Sequence, residues 1–181
     1  MALKTAANSV YGFTGAQVGL LPCPAIAASV TNYGRKMLDM TRSLIIDRYT
    51  KVHGSPADAQ VIYGDTDSVM IKFGTKTIEE TFELGKQASE YVSSFFPKPI
   101  KLEFEKVYCP YLLMNKKRYA GLLWTNEDNH SGIDAKGIET VRRDNCPLVK
   151  VVINTVLSKI LVDKDANSAI EYCKGIVSDL L

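Results

Sequence analysis

The chain has 181 residues, of which 46% are hydrophobic, and its formal net charge is only +2 at pH 7. This length is enough to bury a core in one or two small domains, but the near-neutral charge excludes nucleic-acid binding through bulk charge, so any such affinity must come from local clusters of Lys and Arg. The four cysteines are scattered without a Cys-x-x-Cys pair, which argues against a zinc site or a disulfide framework, and no apolar run approaches the roughly 20 residues that a membrane span needs.

Residues 2–12 are predicted to form a helix. Lys4, Asn8 and Tyr11 share one face of it, because they are spaced i, i+4 and i+7. Spacing alone favours a solvent-exposed polar stripe for this face. Glycines then end or bend the helix, and residues 19–24, with two prolines, are predicted to be a connector.

A long amphipathic helix is predicted from about Ile26 to Tyr49, and we expect its apolar residues to pack under a sheet. Those residues are Val30, Tyr33, Met37, Leu44 and Ile45. The next segment, residues 51–59, contains Gly and Pro and is predicted to be a loop. His53 in this loop is expected to be solvated rather than a ligand.

Residues 61–71 place apolar and β-branched residues on both sides of a short polar centre, which predicts two strands joined by a tight turn. The turn carries Asp65 and Asp67, and in an extended segment these two side chains would project from the same face. Two carboxylates held so close repel each other unless a cation lies between them. Oxygen ligands without a nearby Cys or His favour Mg²⁺ or Mn²⁺. The alternative is a solvated hairpin turn, for which Asp, Thr, Gly and Ser are ordinary residues.

The middle of the chain mixes a helix with strands. Residues 77–96 are predicted to form a second amphipathic helix that prolines stop, and the alternation at residues 100–105 predicts a strand. Hydrophobic runs at residues 111–114 and 120–124 flank a basic cluster at 115–119, which predicts a hairpin with a cationic turn or edge. Lysines there either protect an exposed strand edge or contact nucleic-acid phosphates, and the pattern alone leaves both open.

The carboxyl-terminal part begins with a polar, acidic loop that carries no recognisable chemistry. Arg142 and Arg143 follow, and neighbouring acids such as Glu139 or Asp144 are possible ion-pair partners for them. The last two predicted helices cover residues 147–162 and 167–181. Helices combined with antiparallel hairpins predict the α+β class.

Four short motifs resemble those of family B DNA polymerases and occur in that family's order. Residues 63–68 read Tyr-Gly-Asp-Thr-Asp-Ser, like the family's YGDTDS motif, and residues 4–12 are similar to its KxxxNSxYG motif. Residues 116–119 resemble the KKRY motif, and residues 136–144 the segment that leads into the thumb. Two segments are most similar to the eukaryotic delta class of this family: residues 13–17 and residues 142–148. Four motifs in one order are a specific signal, and the resemblance covers nearly the whole chain.

The resemblance implies an α+β fold with an antiparallel palm sheet and packed helices, a remnant of the fingers helix and the beginning of a helical thumb. The expected domains are residues 1–22 for the end of the fingers helix and the connector, 23–134 for the palm, and 135–181 for the start of the thumb.

The activity implied by the resemblance is template-directed addition of dNTPs to a primer 3′ end by two-metal nucleotidyl transfer with Mg²⁺. Asp67 is the first expected catalytic metal ligand, and Asp65 is the second, acting at longer range. Lys4 is expected to hold the triphosphate of the incoming nucleotide. Asn8 and Tyr11 are expected at the nascent base pair.

The resemblance also implies primer-template DNA as a partner. The expected DNA-binding residues are Lys116, Lys117, Arg118, Tyr119, Arg142 and Arg143. The first three are expected to meet duplex phosphates and minor-groove edges, Tyr119 to pack against the primer strand, and the last two to serve the primer backbone. Other polymerase subunits would bind parts of a longer protein, the location would be nuclear, and no membrane partner is expected.

One family motif has no match in this sequence. The upstream motif DxxSLYPS supplies the family's other main metal-binding carboxylate, and its absence predicts that the 181 residues alone do not polymerise DNA. Two alternatives stay open: a non-catalytic module that binds primer-template duplex while the acidic turn stays empty, and a palm-type polymerase of another kind that copies RNA. Residues 4–12 argue against the second.

Overall fold

The computed structural model describes residues 2–19, 22–51, 57–127 and 129–181, without the side chains at positions 2–4, 7, 8 and 11. The predicted loop histidine, His53, therefore lies outside the described residues. So do the side chains of Lys4, Asn8 and Tyr11, although their backbone is helical. The chain forms two compact units, Met1–Gly74 and Thr75–Leu181. The predicted boundaries at residues 22 and 134 stay a prediction.

In its described residues, the first unit contains two helices and a two-stranded antiparallel sheet. Its elements are α1, Ala2–Gly15; α2, Pro24–Tyr49; β1, Gln60–Asp65; and β2, Ser68–Lys72. The long helix begins at a proline, whose fixed φ and missing N–H suit the first turn of a helix. The hairpin predicted around residues 61–71 is confirmed.

The core of the first unit lies at the carboxyl end of α2. Thr41, Ile45 and Tyr49 are buried there on one helix face. The Tyr49 ring packs edge-on against Phe73, with 5.8 Å between ring centroids. The Tyr49 carbonyl accepts a hydrogen bond of 2.8 Å from the backbone N–H of Ala59, just before β1. These contacts join the helix to the hairpin that carries Asp65 and Asp67.

The amino-terminal half of α2 differs from the prediction. Val30 and Tyr33 were expected to pack under the sheet, but they are 51% and 66% exposed. Helical periodicity identifies an apolar face, but it does not show how far along that face the hairpin reaches. Among the described residues of α2, those that are buried lie only in the later turns, around Ile45.

The part of the second unit that the structure describes contains three helices and a three-stranded antiparallel sheet with the order β3-β4-β5. Its elements are α3, Ile78–Ser93; β3, Val107–Asn115; β4, Arg118–Trp124; β5, His130–Lys136; α4, Pro147–Leu161; and α5, Ala166–Leu180. Thr77 caps α3 by accepting a hydrogen bond of 3.3 Å from the backbone N–H of Glu80. The two units together confirm the α+β class.

Two segments of the second unit differ from the prediction. Residues 101–106 alternate in burial as expected but do not pair as a strand, because the Leu102 backbone N–H and carbonyl both hydrogen-bond the Ser93 hydroxyl at the end of α3. Strand β5 was not predicted. Its sequence, His-Ser-Gly-Ile-Asp-Ala-Lys, is polar and contains glycine, so it lacks the usual signature of a strand.

One face of the three-stranded sheet packs on the helices. Ala120, at the centre of β4, is buried with Ile138 of the following segment and with Leu157 and Leu161 of α4. Tyr119 and Gly121, its neighbours along the strand, therefore point to the opposite face.

Within the described ranges, the structure contains no helix with both the length and the apolar character needed to cross a membrane.

Candidate functional site

The first candidate site is the acidic hairpin, which we define as β1, β2 and the turn between them. Asp65 is the last residue of β1 and pairs with Ser68, so Thr66 and Asp67 form the turn. Thr66 has φ +53°, a conformation that is costly for a β-branched residue. The Asp65 carbonyl accepts the Asp67 backbone N–H at 2.6 Å and the Ser68 hydroxyl at 3.1 Å. These hydrogen bonds fix the turn.

The two carboxylates of the acidic hairpin have different surroundings. Asp65 is half-buried, and its Oδ1 accepts a hydrogen bond of 3.2 Å from the Thr66 hydroxyl. Asp67 is exposed, and its side chain has no hydrogen bond or ion pair with any described residue. The chain reverses at Thr66 and Asp67, and the expectation that the two side chains share a face stays a prediction. Asp67 is the more accessible of the two carboxylates.

The donor chemistry of the acidic hairpin suits a hard cation, since Mg²⁺ prefers carboxylate oxygens and keeps part of its shell for water and phosphate. In the part of the chain that the structure describes, no group of three His, Cys, Asp or Glu side chains lies together as a metal site. Asp65 and Asp67 therefore fit part of a coordination shell, and the assignment of both as metal ligands stays a prediction.

The second candidate site is the basic hairpin, which we define as the turn between β3 and β4 with Lys116, Lys117 and Arg118. The turn residue Lys117 has φ +63°, and the Asn115 side chain accepts the Lys116 backbone N–H at 2.8 Å. The predicted cationic hairpin is confirmed. The basic residues occupy its turn and the start of the central strand rather than an exposed sheet edge.

A glycine supports the basic hairpin from the end of β5. Gly137 has φ +64°, and a Cβ at this position would overlap the Lys117 carbonyl oxygen. Any other residue would therefore strain its own backbone and displace the turn.

Two arginines of the predicted DNA-binding set already hold carboxylates. The Arg118 guanidinium donates to Glu139, and Arg142 donates twice to Asp144, at 2.8 and 3.1 Å. The pKa of Glu139 is lowered by its own backbone N–H, then by Arg118 and Arg142. By contrast, the exposed side chains of Lys116 and Arg143 form no ion pair with any described residue. The expectation that Arg142 pairs with a neighbouring acid is confirmed.

Tyr119 packs within the protein's own aromatic cluster. Its ring lies 6.1 Å from that of Tyr108 and 5.6 Å from that of Tyr111, between centroids, and the last two rings stack at 5.5 Å. Tyr119 is half-buried, so part of its surface stays accessible. Its predicted contact with a primer strand stays a prediction.

The sequence did not indicate the charged network next to this cluster. Asp134 accepts hydrogen bonds from the Tyr108 hydroxyl at 2.6 Å, Lys136 at 3.1 Å and Lys106 at 3.2 Å. Tyr108 reaches across β4 because the residue beneath its ring is Gly121, where a Cβ would lie only 2.7 Å from the ring. The network therefore links both outer strands of the sheet. Only the register of three strands brings these residues together, so no local pattern could have identified them.

Asp134 makes the stability of the second unit depend on pH. Partial burial opposes its ionisation, but the hydrogen bonds from Tyr108, Lys136 and Lys106 outweigh that effect and lower its pKa to about 2. A lowered folded-state pKa contributes stability that is present above the unfolded pKa of about 4 and is lost as the pH falls toward 2. We expect about 1–2 kcal/mol from this source.

Urea unfolding of Asp134→Asn and of the unchanged chain at pH 6 and pH 3 measures this contribution. The difference between the two chains should shrink at the lower pH. Asp163→Asn, which changes an exposed acid beyond α4, is the control. An equal loss at both pH values would contradict the assignment.

Comparison with known proteins identifies the family of the chain. The family model described as DNA polymerase family B matches residues 1–181, the whole chain. The DNA polymerase delta catalytic subunit of Schizosaccharomyces pombe is 60% identical over 181 residues, and those of Glycine max and Drosophila melanogaster are each 59% identical. Each comparison covers 100% of this chain but only 17% of the relative. On the strength of a match along its full length, the chain belongs to DNA polymerase family B.

Proposed function

We propose that this chain is a segment of a replicative DNA-directed DNA polymerase and carries part of its polymerase active site. One observation carries the proposal: in a chain that matches the family from end to end, the acidic motif at residues 63–68 folds as a hairpin turn with an accessible carboxylate. Such a turn presents oxygen ligands at a protein surface where a nucleotide phosphate has access.

In this proposal, Asp67 and Asp65 hold divalent cations, Mg²⁺ or alternatively Mn²⁺. When bound, two such ions activate the primer 3′ hydroxyl and stabilise the charge that develops during phosphoryl transfer. Asp67 is the primary ligand because it is exposed and its carboxylate has no partner among the described residues. Asp65, half-buried and bonded to Thr66, acts at longer range.

The remaining substrate contacts are assigned by the family motifs. Lys4 binds the triphosphate of the incoming dNTP, with Asn8 and Tyr11 at the nascent base pair. The basic hairpin and its surroundings hold the primer-template duplex, through Lys116, Lys117, Arg118, Tyr119, Arg142 and Arg143. Half or more of the hydrogen bonds in such interfaces go to phosphate and sugar, which suits a surface of lysine and arginine. A nuclear location and binding to further polymerase subunits follow from the replicative role.

We also propose that the 181 residues do not extend a primer by themselves. Two carboxylates leave most of a two-metal site unfilled, and no described acid stands with them as a third. A primer-extension assay with Mg²⁺ tests this directly, with the full-length polymerase as positive control. No extension is expected, and robust incorporation by the 181-residue chain would overturn this part of the proposal.

A duplex-binding module is the second candidate, and one observation favours it: Lys116 and Arg143 are exposed cations without an ion pair in the described chain. Both candidates predict salt-dependent binding of primer-template DNA, so they differ only in the acidic hairpin. If the chain is purely a binding module, Asp67→Ala leaves both DNA binding and the activity of the full-length polymerase unchanged.

Lys116→Ala tests the DNA contact that both candidates share. Each phosphate that a cation neutralises contributes about 0.9 to the slope of log affinity against log salt concentration. We therefore expect the slope for primer-template binding to fall by about 1, with weaker binding of all duplex sequences. Lys174→Ala, which changes an exposed lysine of α5, is the control. An unchanged slope for Lys116→Ala would show that the basic hairpin is not part of the interface with DNA.

A further inference from the structure

We propose that Glu139 limits the affinity of the DNA-binding surface, because it occupies Arg118 as an internal substitute for a phosphate until a duplex displaces it. This inference rests on the proposed function, in which the basic hairpin binds primer-template DNA. It assigns a role to an acidic residue among the proposed DNA contacts.

Glu139 is fixed in position by its neighbours. Ile138, the preceding residue, is buried in the core beneath the sheet. The Glu139 carbonyl accepts a hydrogen bond of 3.3 Å from the Asn145 side chain, and the Val141 backbone N–H donates to Ile138 at 3.1 Å. The carboxylate is therefore presented to Arg118 from an ordered segment, and the pair does not depend on two long side chains meeting by chance.

Arg118 is also fixed, since it opens the central strand directly after the turn of the basic hairpin. Its side chain is 45% exposed and that of Glu139 is 29% exposed, so solvent and a ligand can reach the pair. A carboxylate and a phosphate bind the same planar set of guanidinium N–H donors. A phosphate can therefore bind Arg118 fully only if Glu139 gives up those donors.

The consequence is weaker binding of polyanions. An arginine already neutralised by a carboxylate offers little net charge to a passing anion and releases few counterions when it binds one. A phosphate that displaces Glu139 must offset the full free energy of the Arg118–Glu139 ion pair. A polyanion that leaves the ion pair intact loses only its own contact with Arg118. Glu139 thus lowers affinity for every polyanion, and at least as much for duplex DNA as for heparin.

The Glu139→Gln variant tests this role, because it removes the charge and keeps the size and backbone contacts of the side chain. Binding of the 181-residue chain to a primer-template duplex, a single strand of equal length and heparin is measured as salt is varied. We expect tighter binding of all three, by about 10-fold for duplex and by no more than that for heparin, with a slope steeper by about 0.9 for one additional neutralised charge.

Two further variants give the controls. Glu171→Gln removes one negative charge from α5, outside the basic hairpin, and should leave the affinities and the slopes unchanged. In the Arg118→Ala background, Glu139→Gln should no longer steepen the slope, because the site of competition is gone. Unfolding curves check that each variant keeps its fold.

The outcomes separate this inference from the function on which it rests. Salt-dependent duplex binding by the unchanged chain with no gain in Glu139→Gln, or with the same gain in the Arg118→Ala background, overturns the role of Glu139 and leaves the duplex contact intact. Loss of affinity in Glu139→Gln also overturns it, since Glu139 would then only support the local structure. If the unchanged chain fails to bind duplex, the proposed DNA contact fails first.

Discussion

Asp67→Asn in the full-length polymerase is expected to reduce nucleotide addition by about 1000-fold or more while leaving primer-template affinity unchanged. A metal ion that stabilises transition-state charge contributes several kcal/mol, and each 1.36 kcal/mol corresponds to a factor of ten in rate. Asparagine keeps the size of the side chain and removes the charge that holds the cation. Because Asp67 is exposed in a turn and its side chain has no partner among the described residues, the fold should not change.

Single-turnover primer extension and a separate binding titration measure the two quantities. Asp65→Asn should have a smaller effect, since Asp65 is half-buried and bonded to Thr66. Asp39→Asn, which changes an exposed acid of α2 in the same unit, is the matched control and should retain full activity. A loss below tenfold for Asp67→Asn, or an equal loss for Asp39→Asn, would remove the acidic hairpin from the chemistry.

Gly137→Ala is expected to cost about 3 kcal/mol of the free energy of unfolding of the second unit. A non-glycine residue in the left-handed region costs roughly 1–2 kcal/mol, and forcing an atom into a filled space costs typically about 1–3 kcal/mol. Both apply here, since Gly137 has φ +64° and its added Cβ would overlap the Lys117 carbonyl oxygen. The turn of the basic hairpin should shift as a result, and duplex binding should weaken with it.

Urea unfolding of two other glycine variants separates these two causes. Gly132→Ala tests backbone strain alone, because Gly132 has φ +105° but open space around its missing Cβ, and it should lose about 1–3 kcal/mol. Gly175→Ala, in the open face of α5, should gain about 0.5–1 kcal/mol. If Gly137→Ala and Gly132→Ala lose the same amount, the contact with Lys117 does not matter.

Local chemistry explains which parts of the fold the sequence predicted. Both hairpins were predicted because turn residues separate apolar runs within a few positions of each other. The ends of α4 and α5 lay within one residue of the predicted ends, since the apolar period is strong there. Strand β5 and residues 101–106 were not predicted correctly. The pairing of β5 with β4 and the hydrogen bonds between Leu102 and Ser93 are tertiary contacts, which leave no periodic signal in the sequence.

The same distinction holds for the candidate sites: residues that are close in the sequence were predicted, and their distant partners were not. The acids and bases of both hairpins were identified because each set is contiguous in the sequence and matches a family motif. The partners that change their behaviour lie far along the chain: Glu139 is 21 residues from Arg118, and Asp134 is 28 residues from Lys106. Only the tertiary structure brings such pairs together, so a sequence can name the proposed DNA-binding residues without showing which of them already hold a carboxylate.

The most direct test of the metal-binding role of Asp67 is a crystal structure of the full-length polymerase with primer-template DNA, Mg²⁺ and a non-reactive dNTP analogue. We expect an Asp67 carboxylate oxygen about 2.1 Å from a Mg²⁺ ion that also contacts the nucleotide phosphates. A structure in which the ions are held by other acids, with Asp65 and Asp67 both outside the coordination shell, would contradict it.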